Sequence, residues 1–286
     1  MKSIADLVYD VGMNNGDDTG YYLHTGHRVV AIEANPQLVA EVSIRFHQAI
    51  SDGRLCILNI GISRDTTDAP FWICDDQSEW SSFDRASAAR NGCRHHPIAV
   101  KCMEFRSVLE QYGVPRYLKV DIEGADRLCL EDLRPEIAPS YLSLEATDIG
   151  LLDLLREKGY TRFQCISQFR FLPIQRTPSW AERRYGWAQR LAKRESVAAR
   201  LWHECGGWRW TNRQLERPHR NGWTFPFGSS GPFGEDLPGR WYSYDEMRSV
   251  YQTFLDRRDA GATSHFWYDK GYSFWADFHA RLPALR

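Results

Sequence analysis

Three carboxylates stand where predicted strands end, and they are the side chains best suited to acid–base chemistry. Asp121 and Glu123 follow the apolar run YLKV, and Glu145 closes YLSLE. A carboxylate within hydrogen-bond reach of a hydroxyl can take its proton as a new bond forms at the oxygen. Carboxylate oxygens could also hold a divalent metal. Because no histidines or cysteines cluster with them, we expect no metal.

Asp121 and Glu123 are two residues apart, so on a chain that is still extended both side chains would point to one face. Gly124 would then let the backbone turn into a helix beginning near residue 125. One acid could be the base and the other a substrate anchor. Both could instead cap that helix and favour its N-terminal dipole. We favour a site role for Asp121 and leave both alternatives open for Glu123.

A glycine-containing turn follows the first predicted strand. The chain reads DVGMNNGDDTG from Asp10, with glycines at Gly12, Gly16 and Gly20. Such a turn lets the backbone approach a ligand closely and aims free N–H groups at it. It is not the dinucleotide fingerprint GxGxxG, because Asn14 stands where the second glycine would be. Alone, the turn is equally consistent with a tight connection that binds nothing.

Glu33 ends the second predicted strand, 23 residues after Asp10. A carboxylate at this point of a Rossmann-like sheet can accept hydrogen bonds from both ribose hydroxyls and repels a ribose 2′-phosphate. Combined with the glycine turn, it predicts a ligand with a nucleoside part and a free ribose.

The alternation of short apolar runs with amphipathic segments predicts an open α/β sheet up to about residue 172. The predicted strands are 6–11, 28–33, 55–60, 98–103, 117–121, 141–145 and 162–167. The predicted helices are 36–50, 105–112, 125–134 and 149–158, with further helical segments at 180–205 and 244–258. The Gly- and Pro-rich stretch 225–239 is expected to lack regular structure.

Five motifs occur in order over residues 9–167: DVGxNxGxxT, AIEANP, NIGIS, LKVDIEGAD and LLREKGY. In this order and spacing they resemble the FkbM family of S-adenosylmethionine-dependent methyltransferases. The sequence departs from the family pattern at Ala34, Arg106 and Asp126, where the family often has Pro, Asp and Glu. The resemblance implies a Rossmann-like class I methyltransferase sheet with helices on both faces. It also implies S-adenosyl-L-methionine as cofactor and O-methylation of a carbohydrate or secondary metabolite.

The resemblance also implies site roles. The glycine turn would pack along the methionine part of the donor, Glu33 would hold the ribose, and the NIGIS segment would flank the adenine. The implied donor-binding residues are Asp10, Gly12, Asn14, Gly16, Thr19, Glu33, Asn59 and Ser63. The implied catalytic residues are Asp121, Glu123 and Glu145. Trp80, Ser81 and Ser82 are expected in a segment that could cover the donor pocket.

Residues 173–286 differ in composition from residues 1–172, which we expect to form the S-adenosylmethionine-binding domain. Nine of the eleven tryptophans lie after residue 175, with many arginines. Aromatic faces stack on sugars, and arginines bind phosphate or carboxylate, so this extension is a candidate acceptor-side cap. His265, Tyr268 and Asp269 could reach the acceptor. The alternative is that most of the tryptophans form the core of the extension.

Charge and composition limit the classes of partner. The chain has 36 basic and 37 acidic residues, so the whole molecule should not be drawn to nucleic acid or membrane. It has no apolar stretch long enough to span a membrane and no secretory signal, which predicts a soluble cytoplasmic protein. The seven cysteines form no CxxC pair, fit a reducing compartment, and are mostly expected as small core residues.

Two other function classes remain open. One is a nicotinamide-dependent oxidoreductase, which the missing GxGxxG disfavours. The other is a non-catalytic module that binds carbohydrate or nucleic acid through the Arg- and Trp-rich extension. The sequence leaves the acceptor and the oligomeric state open.

Overall fold

The structure is a computed structural model and describes residues 3–177, 179–259 and 275–283. Its strands are β1 (Ile4–Val11), β2 (Arg28–Ile32), β3 (Leu55–Leu58), β4 (Gly61–Ile62), β5 (Asp68–Cys74), β6 (His95–Met103), β7 (Pro115–Val120), β8 (Tyr141–Glu145), β9 (Arg162–Ser167), β10 (His219–Arg220), β11 (Trp223–Thr224) and β12 (Ala276–Arg281). Its α-helices are α1 (Asp17–His24), α2 (Pro36–Arg45), α3 (His47–Ser51), α4 (Arg85–Ala88), α5 (Phe105–Tyr112), α6 (Asp126–Asp132), α7 (Ile149–Glu157), α8 (Trp180–Ala192), α9 (Val197–Trp202), α10 (Trp208–Leu215) and α11 (Tyr244–Asp259).

Seven strands form the central sheet in the order β3-β2-β1-β7-β8-β12-β9. The pairs β1–β2, β2–β3, β1–β7 and β7–β8 are parallel. Their sequences are nearly continuous apolar runs, as expected for strands covered on both faces. This sheet, flanked by helices, confirms the Rossmann-like α/β fold. It also brings the ends of β1, β2, β7 and β8 to one edge, where such folds bind ligands.

One predicted member of the central sheet lies elsewhere. The strand expected at 98–103 is part of β6, which pairs antiparallel with β5 and parallel with β4 in a separate three-stranded sheet. The central sheet instead contains β12, which the sequence analysis did not predict. The apolar pattern shows that a segment is extended, but it does not show which strand is its neighbour.

The helix predicted at 36–50 is two helices. Pro36 occupies the first turn of α2, and the Asn35 side chain accepts the Gln37 N–H at 3.0 Å, which caps it. At Phe46 the backbone leaves helical geometry (φ −112°, ψ 25°), and α3 begins at His47. α2 therefore has a fixed start immediately after Glu33.

The chain groups into two compact units, residues 1–162 with 279–286, and residues 163–278. In the second unit, the helix predicted at 180–205 is divided into α8 and α9, and a π-helical turn follows at His203–Gly207. The stretch 225–239 contains one short 3₁₀ turn, Gly234–Asp236. No helix in the described residues is both long and apolar enough to cross a membrane. The proposed domain roles of residues 1–172 and 173–286 stay predictions.

Candidate functional site

The glycines of the first turn are required by close packing within the protein. Gly12 has φ +84°, and a Cβ there would lie 1.8 Å from the Asp121 carbonyl oxygen. Gly16 has φ +77°, and its Cβ would lie 2.9 Å from Val42 Cγ1. Positive φ disfavours other residues at both places. These contacts are with the turn that follows β7 and with α2. Glycine is therefore needed at both positions for packing within the protein, whereas the sequence analysis had inferred close approach of a ligand.

Asp10, at the end of β1, is fully buried and anchors the turn. Its Oδ2 accepts the Thr19 hydroxyl at 2.7 Å, and Lys119 Nζ lies 3.1 Å from its Oδ1. The parallel register pairs Asp10 with Lys119 on β7. Asp10 and Thr19 therefore support the turn from inside the protein, and their assignment to donor binding stays a prediction.

Lys119 is a buried cation that the sequence analysis did not assign to the site. Its Nζ donates to the Gly12 carbonyl at 2.8 Å and lies 3.8 Å from Asp18 Oδ2 and 3.7 Å from Asp121 Oδ2. Burial alone would lower the pKa of Lys119, but Asp10, Asp121 and Asp18 raise it above the usual value, so the amine stays charged. The sequence itself indicated this residue, because a lysine inside the apolar run YLKV is expected to be buried and then needs a buried partner for its charge.

Glu33 ties the glycine turn to the start of α2. Its Oε2 accepts the Asn14 N–H and its Oε1 accepts the Asn35 N–H, each at 2.8 Å. Burial raises the pKa of Glu33, while these two hydrogen bonds and the Lys119 charge oppose the rise. A carboxylate has about four acceptor positions, and these two backbone hydrogen bonds occupy two of them.

A cavity of about 410 Å³ lies beside the Glu33 strand end. It is lined by Ala34, Pro36, Asn59, Ala99, Val100 and Lys101. The Asn59 amide donates to the Glu33 carbonyl at 2.9 Å and to the Ala34 carbonyl at 3.1 Å, so its orientation is fixed. Ser63 is not among the lining residues, and its hydroxyl donates to the Asp65 carbonyl at 3.0 Å.

A family model described as "Methyltransferase FkbM domain" matches residues 10–161, just over half of the chain. The chain belongs to the FkbM methyltransferase family. The match spans the glycine turn, Glu33 and all three candidate catalytic acids. No curated protein matches the chain.

Two of the candidate acids of this FkbM methyltransferase, Asp121 and Glu123, lie in a turn between β7 and α6. β7 ends at Val120, and Glu123 has φ +45°, so Asp121 and Glu123 are not on one extended strand as the sequence suggested. No side-chain hydrogen bond caps α6 at its N-cap residue, Ala125, and the interaction of either acid with the helix dipole stays a prediction. The turn is held by Asp126, whose Oδ1 accepts the Ile122 N–H at 3.0 Å.

Glu145, at the end of β8, has a pKa that is raised to near neutrality. Burial raises the pKa of Glu145 to about 7, and the Asp121, Glu123 and Asp126 carboxylates contribute to the rise, whereas Arg90 opposes it. The candidate acids therefore share one electrostatic environment. A carboxyl with a pKa near 7 is about half ionised at neutral pH, which suits a general base.

Arg90 is a second site residue that the sequence analysis missed. Its Nη2 lies 3.1 Å from Glu123 Oε1, and its guanidinium carbon lies 4.6 Å from the centre of the Trp80 ring. Burial raises the pKa of Glu123, and Arg90 opposes that rise. Arg90 follows no motif, and only the folded chain brings it to Glu123.

The segment between β5 and β6 reaches the turn and the acids. Ser78 Oγ donates to Asn14 Oδ1 at 3.0 Å, and Ser82 Oγ donates to the Glu123 carbonyl at 3.1 Å. Ser81 Oγ accepts the Cys74 N–H at 3.1 Å. These contacts connect the segment to the glycine turn and to the backbone at Glu123, and its role as a cover of the donor pocket stays a prediction.

A disulfide joins Cys74 and Cys93 at the two ends of this segment. The sequence analysis had expected most cysteines to be small core residues, which fits the buried Cys102, Cys129 and Cys165. The two cysteines come together because β5 and β6 pair antiparallel, and the sequence pattern did not predict that strand pairing.

Among the described residues, no group of three His, Cys, Asp or Glu side chains could hold a metal ion. His265, Tyr268 and Asp269 lie outside the described residues. In the second unit, Trp202 Nε1 donates to Thr211 Oγ1 at 3.1 Å and its ring meets Trp210 edge to face, so these tryptophans pack within their own unit.

Proposed function

We propose that this FkbM methyltransferase uses S-adenosyl-L-methionine to methylate a hydroxyl of a carbohydrate or secondary metabolite. The observation that carries the proposal is the Glu145 carboxyl at the end of β8, with a pKa of about 7 and with Asp121 and Glu123 acting on it. An alkyl hydroxyl is a weak nucleophile, and a base that is ionised near neutral pH can accept its proton as the new bond forms.

The donor-binding part of the proposal rests on Glu33 and the adjoining cavity. Glu33 would accept hydrogen bonds from ribose hydroxyls, and the cavity beside it is lined by Ala34, Pro36 and the fixed amide of Asn59. These features fit an adenosine group. When bound, S-adenosyl-L-methionine would supply an electrophilic methyl group on a positively charged sulfur.

In the proposed reaction, Glu145 would accept the proton of the acceptor hydroxyl while that oxygen takes the methyl group that bound S-adenosyl-L-methionine would supply. The acceptor would become a methyl ether, the donor would become a neutral thioether, and Glu145 would hold the proton. Asp121 would anchor the acceptor, and Arg90 would hold Glu123 in place through the contact at 3.1 Å. Positioning of oxygen and methyl carbon in line supplies much of the acceleration.

Glu33→Gln tests the donor site. The amide keeps the size of the side chain but replaces one acceptor oxygen by an NH2 donor. This NH2 group cannot accept a hydrogen bond from a ribose hydroxyl or from the Asn14 N–H. We expect S-adenosyl-L-methionine affinity in isothermal titration to fall at least about tenfold, because hydrogen bonds to charged groups contribute about 1.5–3 kcal/mol.

Glu41→Gln is the matched control, because this exposed acid on α2 accepts a hydrogen bond from the Gln37 amide and is not among the residues that line the cavity. Unchanged donor affinity in Glu33→Gln would contradict the proposed site. Titration with NAD tests the oxidoreductase alternative, and we expect no heat of binding. Mass spectrometry of candidate acceptors for the gain of one methyl group separates an enzyme from a binding module.

A further inference from the structure

Helix α8 presents two tryptophans and two arginines on one exposed face. Trp180 is 69% exposed and Trp187 is 49% exposed. Their spacing of seven residues is two helical turns, and their rings meet edge to face at 5.9 Å. Arg183 and Arg184, both exposed, stand between them at the i+3 and i+4 positions.

The opposite side of α8 holds the helix in place. Tyr185 is buried, with its ring 5.8 Å from that of Phe169 and 4.5 Å from the Arg170 guanidinium. Ser179 and Glu182 form a capping box at its N-terminus. The tryptophans are therefore exposed on an anchored helix.

Helix α9 adds exposed aliphatic side chains beside another arginine. Val197 is 66% exposed and Leu201 is 54% exposed, while Ala199 is buried and Arg200 is exposed. Of the nine exposed large apolar residues in the described chain, six lie between residues 180 and 208. Exposed apolar residues that cluster in this way are typical of an interaction surface, whereas exposed apolar residues that occur singly are normal.

Positive charge is concentrated in the same stretch. Residues 180–213 contain eight basic residues and three acidic ones, although the chain as a whole is balanced. The basic residues are Arg183, Arg184, Arg190, Lys193, Arg194, Arg200, Arg209 and Arg213. Of the acidic residues Glu182, Glu195 and Glu204, Glu182 is buried in the capping box. The stretch therefore favours an anionic partner.

We propose that the exposed side chains of α8 (Trp180, Arg183, Arg184 and Trp187) and of α9 (Val197, Arg200 and Leu201) together bind the surface of an anionic lipid bilayer. Tryptophans favour the headgroup level, aliphatic side chains enter the acyl boundary, and arginines meet lipid phosphates. A second copy of the chain fits less well, because a two-fold interface would bring two basic faces together. Nucleic acid would stack on the tryptophans but leaves Val197 and Leu201 without an apolar partner.

The test is co-sedimentation of the full chain with vesicles of phosphatidylcholine alone or with about 30% phosphatidylglycerol. We expect at least about tenfold tighter binding to the anionic vesicles, and weaker binding as salt rises from about 0.1 to 0.5 M. Trp180→Ala/Trp187→Ala and Arg183→Glu/Arg184→Glu should each weaken this binding about tenfold or more. Circular dichroism establishes that each variant is folded.

Two control variants test whether the position of the arginines and apolar side chains on the protein matters, and not only their number. Arg116→Glu/Arg134→Glu makes the same charge change on exposed residues of the first unit, and Ile44→Ala/Ile50→Ala removes exposed apolar side chains there. Both should bind vesicles like the parent. The proposal is overturned by absent or charge-independent vesicle binding, or by equal loss in a control. Two further outcomes overturn it, and in both the α8 variants bind vesicles as the parent does. In the first the variants lose binding to labelled RNA, and in the second they lose self-association measured by sedimentation.

Discussion

Replacement of Glu145 by Gln is expected to lower kcat by about 10²- to 10⁴-fold, the usual contribution of a general base. Gln has the size of Glu but cannot accept the hydroxyl proton. The variant should therefore still position the acceptor but should no longer remove its proton. Donor affinity, measured by titration with S-adenosyl-L-methionine, should be unchanged because Glu145 is not part of the cavity beside Glu33. Unchanged turnover would remove Glu145 from the reaction and point to Asp121 or Glu123.

The pH dependence of the rate follows from the same carboxyl. The ionised form of Glu145 is the active one, so kcat/KM should rise with pH through about 7 and then level off. Arg90 opposes the rise of the Glu145 pKa, so Arg90→Ala should move the midpoint of the profile to higher pH. Arg85→Ala is the matched control, because Arg85 stacks on Trp72 in the same part of the chain and should leave the midpoint in place. A midpoint that Arg90→Ala does not move would contradict this assignment.

Replacement of Lys119 by Met is expected to destabilise the fold by about 3–5 kcal/mol, because it leaves the buried Asp10 charge without its cation. Urea denaturation measures the loss. Arg28→Met is the control, since it breaks only the exposed ion pair with Asp6 and should lower the free energy of unfolding by about 1 kcal/mol or less. Lys119→Met/Asp10→Asn should recover part of the stability because the charge of Asp10, the carboxylate nearest to Lys119, is gone. Wild-type stability in Lys119→Met would contradict the proposed role of this buried pair.

The sequence predicted the inner strands of the sheet well, because β1, β2, β7 and β8 are short apolar runs followed by turn residues. It did not predict β12, whose sequence ADFHAR buries Asp277 and His279 beside two alanines and Phe278. A strand of this composition gives no clear apolar signal. The placement of β6 was also wrong, because pairing with β5 depends on residues far away along the chain.

In the site, the sequence indicated Glu33 and the acids after β7 and β8, because each stands where a strand ends. It could not predict the partners that act on them. Arg90 is 33 residues from Glu123 in the chain, and their contact arises only when the segment between β5 and β6 folds over the turn. Lys119 was visible in the sequence, but its three carboxylate neighbours come from two different strand ends and a helix.

The position of β12 limits how the protein can be divided for experiments. In the order β8-β12-β9, β12 lies between β8 and the edge strand β9 and is formed by a segment near the C-terminus of the chain. A fragment that stops at residue 172 would keep β9 but lack the strand between it and β8, leaving unpaired backbone groups on both. Truncated forms of this enzyme made for crystallisation or assay should therefore retain residues 276–281.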